Sequence, residues 1–345
     1  MSNNPQLVSR QQIDVLAWDA CVAASSQRII YGYSWYLDAV LPSPRWSWMG
    51  IVLVDDTGQY QAVMPVPLRR KWVAGIPYTW VVHQPFFCQF LAIFSLDTRL
   101  DTRPFFQLLT DSFSYGAIYT ICHPAHELNG FDTVRQSSTH VLRLASDYKT
   151  VYSQYSRDRK TNVHRAEAAN WILVDSSDPE PLLELFRLHH AWLMDGGVPD
   201  WAYDILRNLS HELIQRNCGH IRYAVRDGHI EAGTLFAQEG GRIIYLFNAA
   251  SQAGRKGNAR TILIDRMIQD NTEGRQDGTS WLFDFESPDK PSVRNFYQRF
   301  GAIEQSFQSV RWNRLHKFEQ VAIGLRNCVK GSINRLILAI GKVTF

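Results

Sequence analysis

Apolar residues at Ile13, Leu16, Ala17, Ala20, Cys21 and Ala24 share one helical face, and the pattern then changes to strand-like runs. Trp46 to Val54 and Tyr60 to Leu68 flank Asp55-Asp56-Thr57-Gly58, where glycine supplies the positive φ of a tight turn, so they predict a hairpin. Pro65 and Pro67 predict that its second strand becomes an edge or bends there. Residues 103 to 115 read as a helix, and 117 to 122 and 139 to 144 as strands. Asp147 to Asn170 reads as one polar, strongly charged helix, followed by a short strand from Trp171 to Val174. Helices at 179–194 and 201–217 are split by the breaker Gly196-Gly197-Val198-Pro199. A meander follows: Ile221 to Val225, Ile230 to Ala237 and Ile243 to Asn248, joined at Asp227-Gly228 and Gly240-Gly241. A loop bearing Gly254 and Gly257 leads into a helix over 258–271, and a strand (281–285), a helix (292–300) and a strand (303–312) complete the unit.

The stretch Ile51 to Ala62 resembles Arg222 to Ala232, and each hairpin is preceded by a helix. With 345 residues, this echo makes two related halves plausible, divided near 145. Hydrophobic residues make up 45% and charged residues 20%, the balance of a core-forming protein. The net charge of +3 is too mild to argue for nucleic acid by itself. Cysteines at 21, 88, 122, 218 and 328 have no paired spacing and read as free thiols of a reducing compartment. The polar N-terminus is unlike a secretory signal, and no apolar run approaches the ~18 residues of a membrane span, so a soluble, cytoplasmic protein is expected.

Two stretches carry candidate chemistry. The first is the loop Ala249 to Arg260 ahead of a helix: small residues there would expose backbone N–H groups at the positive end of the helix dipole, as a pyrophosphate requires. Arg255, Lys256 and Arg260 add positive charge, although a solvated glycine turn would look the same. The second is Trp281 to Glu286, followed by Asn295 to Ala302. Period-two spacing puts Asp284 and Glu286 on one side of a strand, where the pair could tune one carboxyl into a proton acceptor or could cap the next helix. Along 157–165, Arg157, Lys160 and His164 share a helical side that reads either as anion-facing or as solvated.

The order of these elements resembles the GNAT acyltransferase superfamily, and Tyr297-Gln298-Arg299-Phe300-Gly301 looks like its Tyr-x-x-x-Gly end. Arg255 to Ala259 resembles its phosphate loop, but the arginine or glutamine expected three places before Gly257 is Gly254 here. Tyr155 to Glu167, with Phe283-Asp284-Phe285-Glu286, is similar to the second domain of the Fem-like, BioF2-like and CelD-like tandem acyltransferases. The resemblance implies an α/β (α+β) fold of two GNAT-like domains, each a mixed, mostly antiparallel sheet flanked by helices. These would be residues 1–145, lacking cofactor motifs, and 146–315, holding the acyl-donor site. It implies acyl-CoA as co-substrate, with its pantetheine along strand 243–249 at Phe247, Asn248 and Ala249. Its pyrophosphate would lie at Arg255, Lys256, Gly257, Asn258, Ala259 and Arg260. Tyr297 would protonate the leaving thiolate, Glu286 (with Asp284) or water would take the proton of a small-molecule or peptide amine, and Arg159 and Lys160 would contact substrate. An aminoacyl-tRNA donor and a catalytically dead binding protein are the alternatives. His123 and His126, and His189-His190, make no convincing metal site. Residues 316–345 read as a basic amphipathic helix that packs on protein or rests on a membrane surface.

Overall fold

The two hairpins that echo each other in sequence share one irregularity in space. In the computed structural model, Leu53 pairs with Ala62 but Val54 with Tyr60, and likewise Ala224 pairs with Ala232 but Val225 with Ile230. A bulge at the same place in both hairpins is the geometric counterpart of the sequence echo. The structure describes residues 4–73, 75–121, 128, 130–145, 147–194, 197–272, 281–287 and 290–315. The expected helix at 316–345 and the His123/His126 pair lie outside them.

The first half runs β1 (Gln6–Ser9), α1 (Val15–Ala24), α2 (Ser34–Val40), β2 (Trp46–Val54), β3 (Tyr60–Val73), β4 (Ile76–His83), β5 (Leu91–Ala92), β6 (Phe94–Ser95), α3 (Arg103–Ser112), β7 (Tyr115–Ile121) and β8 (Thr133–Leu144). The second runs α4 (Tyr148–Ser153), α5 (Arg157–Ala168), β9 (Ile172–Ser176), α6 (Glu180–His189), α7 (Asp200–Gln215), β10 (Gly219–Arg226), β11 (His229–Glu239), β12 (Arg242–Ala250), α8 (Gln252–Lys256), α9 (Ala259–Asp270), β13 (Trp281–Asp284), α10 (Pro291–Gln298) and β14 (Ile303–Asn313).

All these strands join one mixed, mostly antiparallel sheet in the order β1-β2-β3-β4-β7-β14-β8-β13-β12-β11-β10-β9, with β5 on β7 and β6 on β3. The order has a two-fold logic. Each half is a four-strand antiparallel run followed by one parallel neighbour, β4 with β7 and β12 with β13. The last strand of each half is then exchanged: β8 lies between β13 and β14, and β14 between β7 and β8. The division expected at 145 therefore does not fall at a gap in the sheet, because β8 belongs to the first half by sequence and pairs only with second-half strands.

Helices pack against the sheet as their patterns dictate. On α7, Tyr203, Leu206, Leu209, Ser210 and Leu213 recur at three- and four-residue steps and are all buried. The charged segment 147–170 forms two helices rather than the single one expected, with Asp147 and Ser156 each capping a start. β3 runs on through its prolines. It continues to Val73, and, as expected, it is a local edge at Pro65 and Pro67: among the described residues they occupy the stretch between its pairing with β6 (Ala62, Val63) and with β4 (from Leu68), where a missing N–H costs no ladder bond on that flank. No helix of the described residues is long and apolar enough to cross a membrane.

Candidate active site

The parallel contact of β12 with β13 covers only Arg242 to Ile244 against Leu282 to Asp284. Beyond it β12 continues to Ala250, whereas the segment after β13, through Phe285, Glu286 and Ser287, stays beside β8, with the Phe285 amide donating to the His140 carbonyl (3.0 Å). The strands part, and the side chains lining that parting come from both halves.

Glu286 is not on the same strand face as Asp284, because β13 ends at Asp284 and Glu286 has φ +47°. A left-handed non-glycine residue costs about 1–3 kcal/mol and persists only where its surroundings fix it. Here they do. Asp284 Oδ1 accepts from the Glu286 amide (2.9 Å) and from Thr139 Oγ1 (2.8 Å). The Ser287 amide donates to Thr139 Oγ1 (3.3 Å), His140 Nδ1 lies 3.1 Å from Ser287 Oγ, and Gln89 Nε2 donates to the Ser287 carbonyl (3.2 Å). The hydroxyl of Tyr31, from the first half, donates to Glu286 Oε1 at 2.7 Å. Tyr31 is itself held edge-on by Tyr36 and Phe90, and Tyr36 bonds the Phe87 carbonyl.

Glu286 keeps part of its surface open, yet protein atoms crowd its carboxyl. Burial pushes its pKa up to about 8; the Tyr31 hydrogen bond opposes the rise and the charge of Asp284 adds to it. Asp284 is fully buried and also accepts from Arg242 Nη1 (3.1 Å), which holds Gln305 Oε1 with its other nitrogen (3.0 Å). Its contacts are those of a fixed counter-charge that shapes the turn.

Tyr297 stacks on Phe285, with centroids 4.7 Å apart, and meets Tyr245 edge-on. Its hydroxyl has no hydrogen-bond partner among the described residues. Burial raises its pKa to about 12, against the pull of Arg260 and with the push of Glu286, so it stays protonated at neutral pH. Arg260 Nη1 reaches Asn248 Oδ1 (3.3 Å), while Phe247 turns to Phe87 and Phe186 and Ala249 is buried. Thus Phe247 and Ala249 face the helices α6 and α7, and Asn248 faces Arg260.

The phosphate segment differs from the open glycine loop expected. Residues 252–256 are the helix α8, capped by Ser251, and the amides of Gly254, Arg255, Gly257 and Asn258 are bonded within the segment. A Cβ on Gly254 would lie 2.1 Å from the Glu231 carbonyl, and one on Gly257 2.3 Å from the Trp171 ring, so both glycines serve close packing. Trp171 Nε1 also donates to the Gly257 carbonyl (2.8 Å). Open donors among the described residues include the first amides of α9, at Ala259 and Arg260, after Asn258 in a left-handed conformation. Arg255 Nη1 is turned back to the Ala250 carbonyl (2.8 Å), and Lys256 is exposed. Gly257→Ala should destabilise the chain by about 1–3 kcal/mol, since the indole must move; urea unfolding measures this, and an unchanged midpoint would show that Trp171 yields freely.

Arg159 does not face outward. Its guanidinium is buried over Phe296 and Phe300 and donates to Thr261 Oγ1 (2.7 Å) and the Phe296 carbonyl (3.0 Å), tying α5 to α9 and α10. Desolvation lowers its pKa to about 10. Lys160 Nζ caps α4 at the Ser153 carbonyl (3.0 Å), and Arg157 and His164 are exposed.

Sequence reasoning missed Tyr31, Gln89, Thr139, His140 and Arg242. The available signal was the run Ile29-Ile30-Tyr31-Gly32-Tyr33, too apolar to be exposed, whose hydroxyls need partners once buried.

The family described as Acetyltransferase (GNAT) domain matches residues 153–285. Across the solved structures the chain is similar to FemX, at 12% identity and a TM-score of 0.64, covering 92% of this chain and 99% of that one. It is similar to a tandem GNAT protein from the clavulanic acid biosynthesis pathway (11%, 0.52, 89% and 97%) and to L-PGS from Bacillus licheniformis (12%, 0.50, 90% and 95%). At such identities the likeness is one of fold. No curated protein matches the sequence. Residues 153–285 thus match the acetyltransferase (GNAT) domain family, within a chain whose fold is similar to those of FemX and a tandem GNAT protein.

Proposed function

We propose that this chain transfers an acyl group from a coenzyme A thioester to a primary amine, with Glu286 as proton acceptor and Tyr297 as proton donor. The observation that carries this reading is the pairing of Glu286, raised to about 8 and held by Tyr31, with the protonated hydroxyl of Tyr297, which has no partner among the described residues. The amine nitrogen attacks the thioester carbonyl and gives its proton to the free oxygen of Glu286. As the C–S bond breaks, the Tyr297 hydroxyl protonates the departing sulfur, and the phenolate recovers a proton from Glu286 or solvent. The parting of β12 and β13 offers the donor's pantetheine a place along 245–249. The first turn of α9, with Arg260, offers its phosphates two amides and a cation.

The test is release of free thiol from acetyl-CoA and from a long-chain acyl-CoA across a panel of small and peptide amines. Tyr297→Phe should lower turnover by about 10²-fold, the low end for a positioned acid, because a thiolate departs tolerably without help. Full turnover by that variant would remove the acid assignment. Wild-type turnover should rise with pH through about 8 as Glu286 ionises, and a profile flat from pH 6 to 9 would remove the base.

A further inference from the structure

We propose that the end of the sheet at which the transfer site opens is a docking surface for an anionic lipid bilayer, entered by the ribbon of β3 and β4. These strands outrun their neighbours. β2 begins at Trp46 opposite Arg69, and β7 reaches only Val82 and His83 of β4, so from Lys71 to Val81 the ribbon has no strand on either flank among the described residues.

Its surface has the chemistry of a membrane interface. Ile76 is 68% exposed and Tyr78 59% exposed at the tip, beside Pro77. Behind them come Arg70 and Lys71, and Arg70 lies 5.9 Å from the Trp72 ring and 5.2 Å from that of Trp80. Neither Asp nor Glu occurs from Thr57 to Leu96. An exposed tip of isoleucine, proline and tyrosine, half-buried indoles behind it, and cations in a stretch of sequence free of acids match an anionic surface, where aromatic rings settle at headgroup depth and each Lys or Arg adds attraction. A nucleic acid would use the cations and rings but gains nothing from an exposed isoleucine-proline tip.

Strand direction puts this ribbon at the working end of the fold. β4 is parallel to β7, β7 and β8 are antiparallel to β14, and β13 is antiparallel to β8 and parallel to β12. The start of β4 therefore lies at the same end of the sheet as the ends of β12 and β13, where Glu286 and the start of α9 sit. A second apolar group flanks that end. Trp192 is 74% exposed, with Leu188 and Leu193 also open, and the neighbouring His190 meets the Ala250 amide at the end of β12 through Nε2 (3.1 Å). Docking by this edge would turn the transfer site toward the bilayer, but the proposal does not depend on the transfer reaction and is tested without turnover.

The full chain is sedimented at low salt with vesicles of equal phosphatidylglycerol and phosphatidylcholine, and with vesicles of phosphatidylcholine alone. Binding is expected to the first and to be much weaker to the second. Arg70→Gln with Lys71→Gln should lower partitioning by about 25-fold, roughly fivefold per basic residue, and Ile76→Ser with Tyr78→Ser by at least about tenfold. Brominated phosphatidylglycerol should quench the tryptophan emission of the wild-type chain, a readout that needs no variant. The proposal is overturned if the wild-type chain binds neither vesicle or shows no quenching. It is overturned too if both variants bind vesicles like wild type, or if they lose only binding to bulk RNA.

Discussion

Glu286→Gln lowers turnover by about 10²–10⁴-fold, the range for loss of a positioned base, while making the folded chain more stable at alkaline pH. The two effects share one cause. The carboxyl is drawn out of water, which lifts its pKa from the ordinary 4.5 to about 8 and keeps it poised to accept a proton. The sign of the stability effect follows from proton counting. Between about 4.5 and 8 the folded state binds the proton that the unfolded state has released, so wild-type stability falls with rising pH across that window. Below the window the group is protonated in both states and contributes nothing. Glutamine keeps the carbonyl that accepts from Tyr31 and never ionises, so the variant should melt above wild type at pH 9, with the gap closing toward pH 4.5. A variant that loses activity together with stability at pH 9 would make Glu286 structural.

The second large effect is Asp284→Ala, expected to cost about 3–5 kcal/mol, the penalty for breaking a buried ion pair by removing one partner. Among the described residues the Arg242 side chain would keep only Gln305, and Thr139 and the Glu286 amide would lose their acceptor. Because that amide bond helps hold the left-handed backbone of Glu286, activity should fall along with stability. Urea unfolding measures the cost, and a loss below about 1 kcal/mol would mean that the pair contributes little to the turn. The contrast with Glu286→Gln separates the two carboxyls: one supports the turn, and the other is held in position at some expense of stability.

Much of the architecture was legible in the sequence because local periodicity encodes it. The hairpins at β2–β3 and β10–β11, the amphipathic α7 and the strand-helix-strand order of 281–313 follow from spacing alone. The exchange of β8 and β14 was not legible, since a strand's own pattern is the same whichever half it joins. Arg159 was misplaced for a simpler reason. It shares the buried stripe of Tyr155, Val163 and Ala166, at steps of four, four and three, while attention to charge grouped it with the exposed cations of the same helix. Tyr31 lies 255 residues from Glu286 in sequence, and no local signal reports such a contact. The phosphate segment looked like a loop because glycine marks loops, whereas Gly254 and Gly257 are small to let Glu231 and Trp171 approach.

The central claim, a coenzyme A thioester as donor, is tested most directly by thermal melting of the full chain with coenzyme A, acetyl-CoA, a long-chain acyl-CoA and bulk tRNA. A ligand that binds only the folded state, at about 100 times its dissociation constant, adds about 2.7 kcal/mol. The account predicts a raised melting temperature with at least one coenzyme A species. A rise with tRNA alone would move the donor to aminoacyl-tRNA, and no rise with any of the four would contradict an acyl donor site in this fold.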